Sequence, residues 1–419
     1  MTRARRLGKA TFSSLHNRNY RLYFVGQIIS VSGTWMQRLA QAWLILRLTH
    51  NNGFALGVES GLQFLPMLIL GAWGGVIADR FDKRRLLYAT QIAAGLLALG
   101  LGVIVAAGAA TVLLDYVFSV LLGFVNVFDN PARQTFVMEM VGRDELPNAV
   151  GLNSVVMNSS RAVGPAIAGL VISGVGLAPC FFFNAASYLA VLLALWMMSA
   201  DALQRVETVP RAKGQLREGF QYVWSDPMLR IPLLMMAVIG TLAFNFQVVI
   251  PLISTKVFGL GAAGYGDLTA AMGAGAVFGG LAAASRQGVS YRRLLGLTYA
   301  MGVSILLAAV APSILTMVIA LFAMGAASFA FIATANTTLQ LTARPEMRGR
   351  VMALYAIAFL GSTPVGSPII GLVCAVWGAR AGFAVGGVAA LVAGIVAWWS
   401  FTRVREQRAA LSSITAHAT

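Results

Sequence analysis

Four ionisable side chains stand where an apolar chain tolerates them least. Arg38, Glu59, Arg161 and Asp267 each interrupt an apolar stretch of about 20 residues or more. A charge in such a stretch is costly and is a functional candidate by default. Two chemistries suit these residue types. A carboxylate in an apolar cavity holds its proton more tightly, and a nearby guanidinium loosens that hold. Glu59 and Asp267 are therefore candidates to load and release a proton. A guanidinium presents a fixed fork of donors to an anion, so Arg38 and Arg161 are candidates to contact an anionic or polar ligand group. Arg38 lies about 18 residues into its stretch and Arg161 about 15, whereas each acid lies only about five residues from one end. Arg38 and Glu59 thus share a depth on consecutive stretches, which fits either a structural ion pair or a proton-coupling acid. Asp267 takes nearly the same place in the second half of the chain. Asp115 stands too near the end of its stretch to be buried.

The elements that must hold these residues are twelve apolar segments at 20–47, 54–79, 85–108, 112–139, 146–175, 178–200, 228–258, 263–285, 291–311, 313–342, 348–377 and 380–402. The 419 residues are 58% hydrophobic and only 11% charged, against about a quarter charged in soluble proteins. The runs are too long and too uniform for barrel strands of about 10 alternating residues. The fold class is all-α integral membrane, with twelve transmembrane helices. The basic Met1–Asn19 segment and Ala40-Gln41-Ala42 resemble a leader and its cleavage site, but apolar sequence continues to Leu48, so 20–47 reads as a retained helix.

The net charge of +16 raises nucleic acid as a partner, but placement explains it otherwise. One set of loops holds Arg3, Arg5, Arg6, Lys9 and Arg18; Arg80, Lys83, Arg84 and Arg85; Arg133 and Arg143; Arg205, Arg211, Lys213 and Arg217; Arg286, Arg292 and Arg293; Arg344, Arg348 and Arg350; and Arg403, Arg405 and Arg408. The alternating loops hold Lys256 and Arg380. The positive-inside rule then puts both termini in the cytoplasm of a bacterial plasma (inner) membrane. No nucleic-acid partner is expected, while membrane lipid is. Cys180 and Cys374 read as two unpaired thiols. No phosphate-binding glycine loop and no His/Cys cluster with metal spacing occurs, and the three histidines, His16, His50 and His417, lie near termini or loops. No cofactor, no metal and no enzymatic activity are expected.

The halves match each other weakly. Gly33-Thr34 recurs as Gly240-Thr241 and Gly57 as Gly264, at one offset. Arg84-Arg85-Leu86-Leu87 recurs as Arg292-Arg293-Leu294-Leu295, Asn130 and Gln134 as Asn336 and Gln340, and Gly164 and Gly169 as Gly366 and Gly371. The order predicts two pseudo-symmetric six-helix bundles. Residues 1–200 form the first, 201–227 a cytoplasmic linker, 228–402 the second and 403–419 a tail. Within the linker, Phe220-Gln221-Tyr222-Val223-Trp224 predicts a helix on the membrane surface.

At this point a family becomes recognisable. Gly75-x-x-x-Asp79-Arg80-x-x-x-Arg84-Arg85 resembles the loop between helices two and three of the major facilitator superfamily, with Asp82 where the family usually has glycine. Phe81-Asp82-Lys83-Arg84-Arg85, Asn17-Arg18-Asn19-Tyr20-Arg21, Gly33-Thr34-Trp35-Met36-Gln37, Leu65-Pro66 and Asp129-x-Pro131-x-Arg133 look like the branch containing the enterobactin exporter and related secretion and multidrug efflux proteins. Gly151, Ser160, Gly164-Pro165 and Ala168-Gly169 resemble the helix-five antiporter motif, with Ser160 and Ala168 replacing two glycines. Gly and Ala permit close helix contact there, and Pro165 bends the helix.

The resemblance implies a secondary active transporter, a proton-coupled exporter of a small amphipathic molecule such as a siderophore or drug, working by alternating access as a monomer. Na⁺ could replace the proton. An importer or lipid translocator of the same fold is the alternative, and a non-transporting sensor or scaffold the second. Helices one, four, seven and ten line the cavity in this family. That points to Trp35, Gln37, Arg38 and Gln41, to Asn126 and Phe128, to Asn245, Phe246 and Gln247, and to Asn336 and Thr337. The resemblance also implies that Gly75, Asp79, Arg80, Arg84, Asp129, Gly164 and Pro165 gate. Asp129 would pair with the basic loop at 80–85, and Asp79 would face the positive start of helix eleven near Met347–Arg350.

Overall fold

The computed structural model describes residues 12–204, 215–284 and 288–417. Gly75 and the side chain of Asp79, both expected to gate, lie outside what it describes, as do Arg3, Arg5, Arg6, Lys9, Arg205, Arg211, Lys213 and Arg286. Helices α1 (Arg18–Leu48), α2 (Gly53–Arg80), α3 (Lys83–Ala106), α4 (Val112–Gly142), α5 (Asp144–Val175) and α6 (Ala178–Met197) precede the segment 205–214. The short α7 (Gln215–Ser225) follows it. Then come α8 (Pro227–Val257), α9 (Ala262–Ala284), α10 (Tyr291–Val310), α11 (Ile314–Thr342), α12 (Arg348–Trp377) and α13 (Ala379–His417). Among the described residues, ten helices are long and apolar enough to cross a membrane. The polar α1 and the small-residue α9 lie outside that set.

Local chemistry explains the starts. Asn52, Asp82, Thr111, Asp226, Ser290 and Ser313 each stand just before a helix and accept a hydrogen bond from one of its first backbone N–H groups, satisfying a donor the helix leaves free. Asp82 has this job: its Oδ1 accepts from the Arg85 N–H at 2.9 Å. Gly142, at φ +76°, separates α4 from α5 in a conformation that side chains disfavour. Two spans are broken inside. α8 interrupts at Ala243–Asn245 before resuming at Phe246–Leu252. α12 interrupts at Gly361–Ser362, ahead of Pro364, whose missing N–H is harmless in a first helical turn.

The packing has two kinds of surface. Large apolar side chains such as Leu113, Leu170, Leu189 and Trp196 point outward and stay exposed, as a lipid-facing surface requires. Between helices, small residues bring backbones together. A Cβ placed on Gly275 or Gly279 of α9 would meet the Phe322 or Ala326 carbonyl of α11 at 2.0 Å. The helices before and after 205–214 meet mainly through two pairs, α2 with α12 and α5 with α9. In the first pair, a Cβ on Gly57 would lie 2.3 Å from the Ser367 carbonyl oxygen. In the second, a Cβ on Gly266 would lie 2.7 Å from the carbonyl oxygen of Pro165.

Both junctions are tight at the bundle end carrying Gly53 and Gly169. Toward the other end they part. A cavity of about 720 Å³ opens there between Pro147–Asn158 of α5 and Val277–Gly288 on the α9 side, and Gly151 has nothing within 4 Å of its Cβ position. Lys83 and Arg84 belong to this open end. Lys83 pairs with Glu139 at 2.9 Å, and Arg84 donates to the Leu195, Trp196 and Met198 carbonyls at the finish of α6, where unbonded carbonyls favour a cation.

Candidate functional site

A second cavity, of about 380 Å³, lies between the two sets of helices at mid-depth. Trp35, Arg38, Phe64, Arg161, Phe244, Phe246, Gln247, Tyr265, Phe329 and Phe359 line it. Its two cations share one ring. The Arg38 guanidinium lies 4.8 Å from the Trp35 ring centre and that of Arg161 4.7 Å. Arg161 also sits 4.2 Å from the ring of Phe329 on α11, and Arg38 5.8 Å from that of Phe64 on α2. Aromatic faces attract cations but supply no hydrogen-bond acceptor. Arg161 Nη1 is buried with no hydrogen-bond partner. Neither arginine has an ion-pair partner among the described residues. Gly164, one turn beyond Arg161, makes this possible. Its Cβ position lies 2.7 Å from the Ser32 carbonyl oxygen and the Trp35 Cβ, so α5 comes close enough to α1 for Arg161 to reach the ring.

A smaller cavity of about 100 Å³ adjoins the first at Trp35, Arg38, Asn130 and Met157. It lies wholly among α1–α6, and amides dominate its wall: Gln37, Gln41, Gln63, Gln91, Asn126 and Asn184. From this wall a run of hydrogen bonds leads away. Asn184 Nδ2 donates to Gln37 Oε1 at 2.5 Å, Gln37 Nε2 to Gln41 Oε1 at 3.3 Å, Gln41 Nε2 to Ser119 Oγ at 3.3 Å, and Ser119 Oγ to Glu59 Oε1 at 3.0 Å. Every member is at most 5% exposed.

The acids differ from expectation. Glu59 is buried as predicted, but no ion pair joins it to Arg38: Ser119 and Ser60 hold the carboxylate, while Arg38 turns to the aromatic rings. Asp115, expected to be unburied, is fully buried, and both carboxylate oxygens lack a hydrogen-bond partner. The neighbouring Tyr116 hydroxyl bonds the Ala55 carbonyl at 2.9 Å, which draws this part of α4 against α2 and turns Asp115 inward. Asp267 is exposed on the outer surface of α9; its place in the repeat does not give it the surroundings of Glu59.

Asp129 does not pair with the basic loop at 80–85. It is buried and forms an ion pair with Arg133, one turn along α4, while Thr90 Oγ1 and Gln91 Nε2 of α3 donate to it at 2.8 and 2.7 Å. Arg133 in turn donates to Gln27 Oε1 at 2.5 Å, so it is a helix-embedded residue and not the loop charge expected. Arg80 is exposed, and Arg350 pairs with Glu218 of α7.

Among the predicted lining residues, Trp35, Arg38, Arg161, Phe246 and Gln247 meet in the central cavity, and Gln37, Gln41 and Asn126 in the amide cavity. Asn245 does not line either. It is buried at the α8 break, donating to the Thr241 carbonyl and accepting from Ser367 Oγ at 2.9 Å, because the broken helix leaves a carbonyl to satisfy. Asn336 and Thr337 face the open-end cavity instead. Phe128 packs on Phe124. The sequence reading missed Phe64, Phe244, Tyr265, Phe329 and Phe359. Phe244 could have been found beside Phe246, as both flank the residue that breaks α8; the others carry no local signal. Among the described residues no group of three or more His, Cys, Asp or Glu could hold a metal.

The profile of the family described as transmembrane secretion effector matches residues 9–418. The enterobactin exporter EntS of Shigella boydii is 23% identical over 404 residues, 95% of each chain. The staphyloferrin A transporter of Staphylococcus aureus is 29% identical over 175 residues, 41% of this chain and 44% of that protein. The uncharacterized MFS-type transporter YfiS of Bacillus subtilis is 27% identical over 217 residues; the chain spans about half the length of these last two, 44% and 51%. Among solved structures, a bacterial homologue of the lysosomal transporter Spinster in an inward-facing, occupied conformation superposes with a TM-score of 0.71 at 14% identity, covering 91% of this chain and 97% of that one. The nucleoside transporter NupG superposes with 0.70 at 12% identity, over 92% and 98%. This chain belongs to the transmembrane secretion effector family and is a multi-pass membrane transporter of the major facilitator type, not an enzyme.

Proposed function

We propose that this protein is a proton-coupled exporter of a small amphipathic anion of the siderophore class, acting by alternating access as a monomer in the bacterial plasma membrane. The observation that carries the reading is the pair of arginines, Arg38 and Arg161, held over Trp35 in an aromatic-walled cavity, neither with an ion-pair partner among the described residues. Aromatic walls with few convergent polar groups suit an amphipathic molecule, and two unpaired cations select one bearing negative charge. A relative named for enterobactin export over 95% of both chains supports the same class. Twelve spans in two six-helix bundles, 1–200 and 228–402, follow if α1 and α9 also cross; α1 carries Arg38 and contacts α6 through Gly26. The basic loops then put the open end in the cytoplasm, so the described arrangement takes substrate from inside and is shut outside.

Glu59 is the coupling acid in this reading. A buried carboxylate that gains or loses its donors on opening to opposite sides changes its hold on a proton. The test uses inside-out vesicles with an acidified interior and enterobactin as the probe. The exporter accumulates enterobactin, and Glu59→Gln abolishes accumulation. Uptake driven only by the reverse gradient would make the protein an importer. Gradient-independent transport by Glu59→Gln at the native rate would remove the proton from the mechanism.

A further inference from the structure

Between the amide cavity and the buried acids runs a single line of side-chain hydrogen bonds, and its polarity is uniform. Asn184, Gln37, Gln41 and Ser119 each donate to the next, and the last donation ends on Glu59 Oε1. Two of its members, Gln37 and Gln41, also form part of the cavity wall. We propose that this line couples ligand to proton: Gln37, Gln41 and Ser119 are positioning residues through which a ligand in the amide cavity sets whether Glu59 holds a proton. The proposal rests on the proton-coupled reading above.

The physical argument follows the donors. An ionised Glu59 accepts from Ser119, and a hydrogen bond to the charged form favours that form. A protonated Glu59 gains an O–H donor and keeps a neutral acceptor oxygen. The Ser119 donation then survives but loses its charge assistance, and the bonds behind it at Gln41 and Gln37 lose the polarisation that a charged end gives them. The order seen here, with each donor pointing toward Glu59, is therefore firmer when Glu59 is ionised. A polar ligand group that binds the donor-forward order seen here drives the proton off Glu59 into solvent, and by reciprocity ionisation of Glu59 tightens the ligand.

The groups facing Glu59 fit such a switch. From α1 comes Arg38, from α4 Asp115 and Tyr116, and from α9 Tyr265. Asp115 has no hydrogen-bond partner and no exposure, so burying it as an unpaired charge beside an ionised Glu59 would be expensive. The acids share the negative charge between them, and Gln41 lies beside both, donating to Ser119 on the Glu59 side.

The experiment measures enterobactin binding to the purified full-length protein by tryptophan quenching across pH, with proton release followed by an indicator dye. Wild type binds more tightly as pH rises, by up to about tenfold per pH unit for one linked proton, and releases protons on binding. Ser119→Ala, which changes no residue of either cavity wall, still binds and still exchanges enterobactin in counterflow, but the pH dependence flattens and proton release is lost. Ser119→Thr restores both. Glu59→Gln is flat as well. If Ser119→Ala keeps the wild-type slope while Glu59→Gln loses it, the line is not the coupling route and the acid still is. If wild type itself shows no slope and no release, proton coupling fails first. If wild-type binding weakens as pH rises, the exchange sense of the proposal is overturned.

Discussion

The Arg161 guanidinium on α5 lies 4.7 Å from the ring centre of Trp35 on α1, with Phe329 of α11 on its other side at 4.2 Å. One cation thus touches helices from before and after the 205–214 segment, inside the cavity and without an ion-pair partner among the described residues. Arg161→Lys keeps the charge but loses the planar stack and the fork of donors. It should weaken enterobactin binding about tenfold, read by tryptophan quenching. Arg161→Ala should weaken it further. Native affinity in both variants would remove the arginine from the site.

The closed end of the bundle can be locked. A Cβ on Gly53 of α2 would stand 3.1 Å from the Cβ of Cys374 on α12, but also 2.9 Å from the Gly371 carbonyl oxygen and 3.0 Å from Leu252 Cδ1. A cysteine there needs the two helices to part slightly, which moves the pair toward the usual disulfide spacing of about 3.5–4.5 Å. Both native cysteines are free and buried. Gly53→Cys in a Cys180→Ala background should form an intramolecular disulfide under mild oxidation. Transport should stop and return on reduction. Crosslinking without loss of transport would mean that this junction does not open during the cycle.

The two repeat-related acids should separate cleanly. Asp267→Asn should leave gradient-driven transport within about twofold of native, as expected for a surface change away from buried networks. Glu59→Gln should abolish it. Vesicle transport measured side by side decides; equal loss in both would restore Asp267 to the mechanism.

The Asp129–Arg133 pair is a stability element first. Asp129→Asn leaves a half-buried guanidinium without its anion, a change worth about 2–3 kcal/mol. The melting temperature of the purified protein should fall sharply. Asp129→Asn with Arg133→Gln should recover part of the loss, because no isolated charge then remains. A double variant no better than the single would show that the pair is not what the helices need.

What was legible in the sequence was what depends on single residues and short runs. Apolar lengths located the spans. The cost of charge in an apolar run singled out Arg38, Glu59 and Arg161, and the charge run at 79–85 with its neighbours pointed to the family. Each of these is a local property with a large free-energy penalty for violation.

Partnership was decided only by the tertiary structure. Asp267 and Glu59 look equivalent in the repeat, yet one is exposed and the other buried. Asp115 seemed peripheral and is sealed; Asp129 was expected to reach a loop and bonds within α3 and α4. The physical reason is that a lipid-embedded helix is apolar on every side, so no amphipathic periodicity marks which face turns inward. Rotation about the helix axis comes from close backbone contacts such as Gly164 against Trp35, and those contacts set which arginine meets which ring.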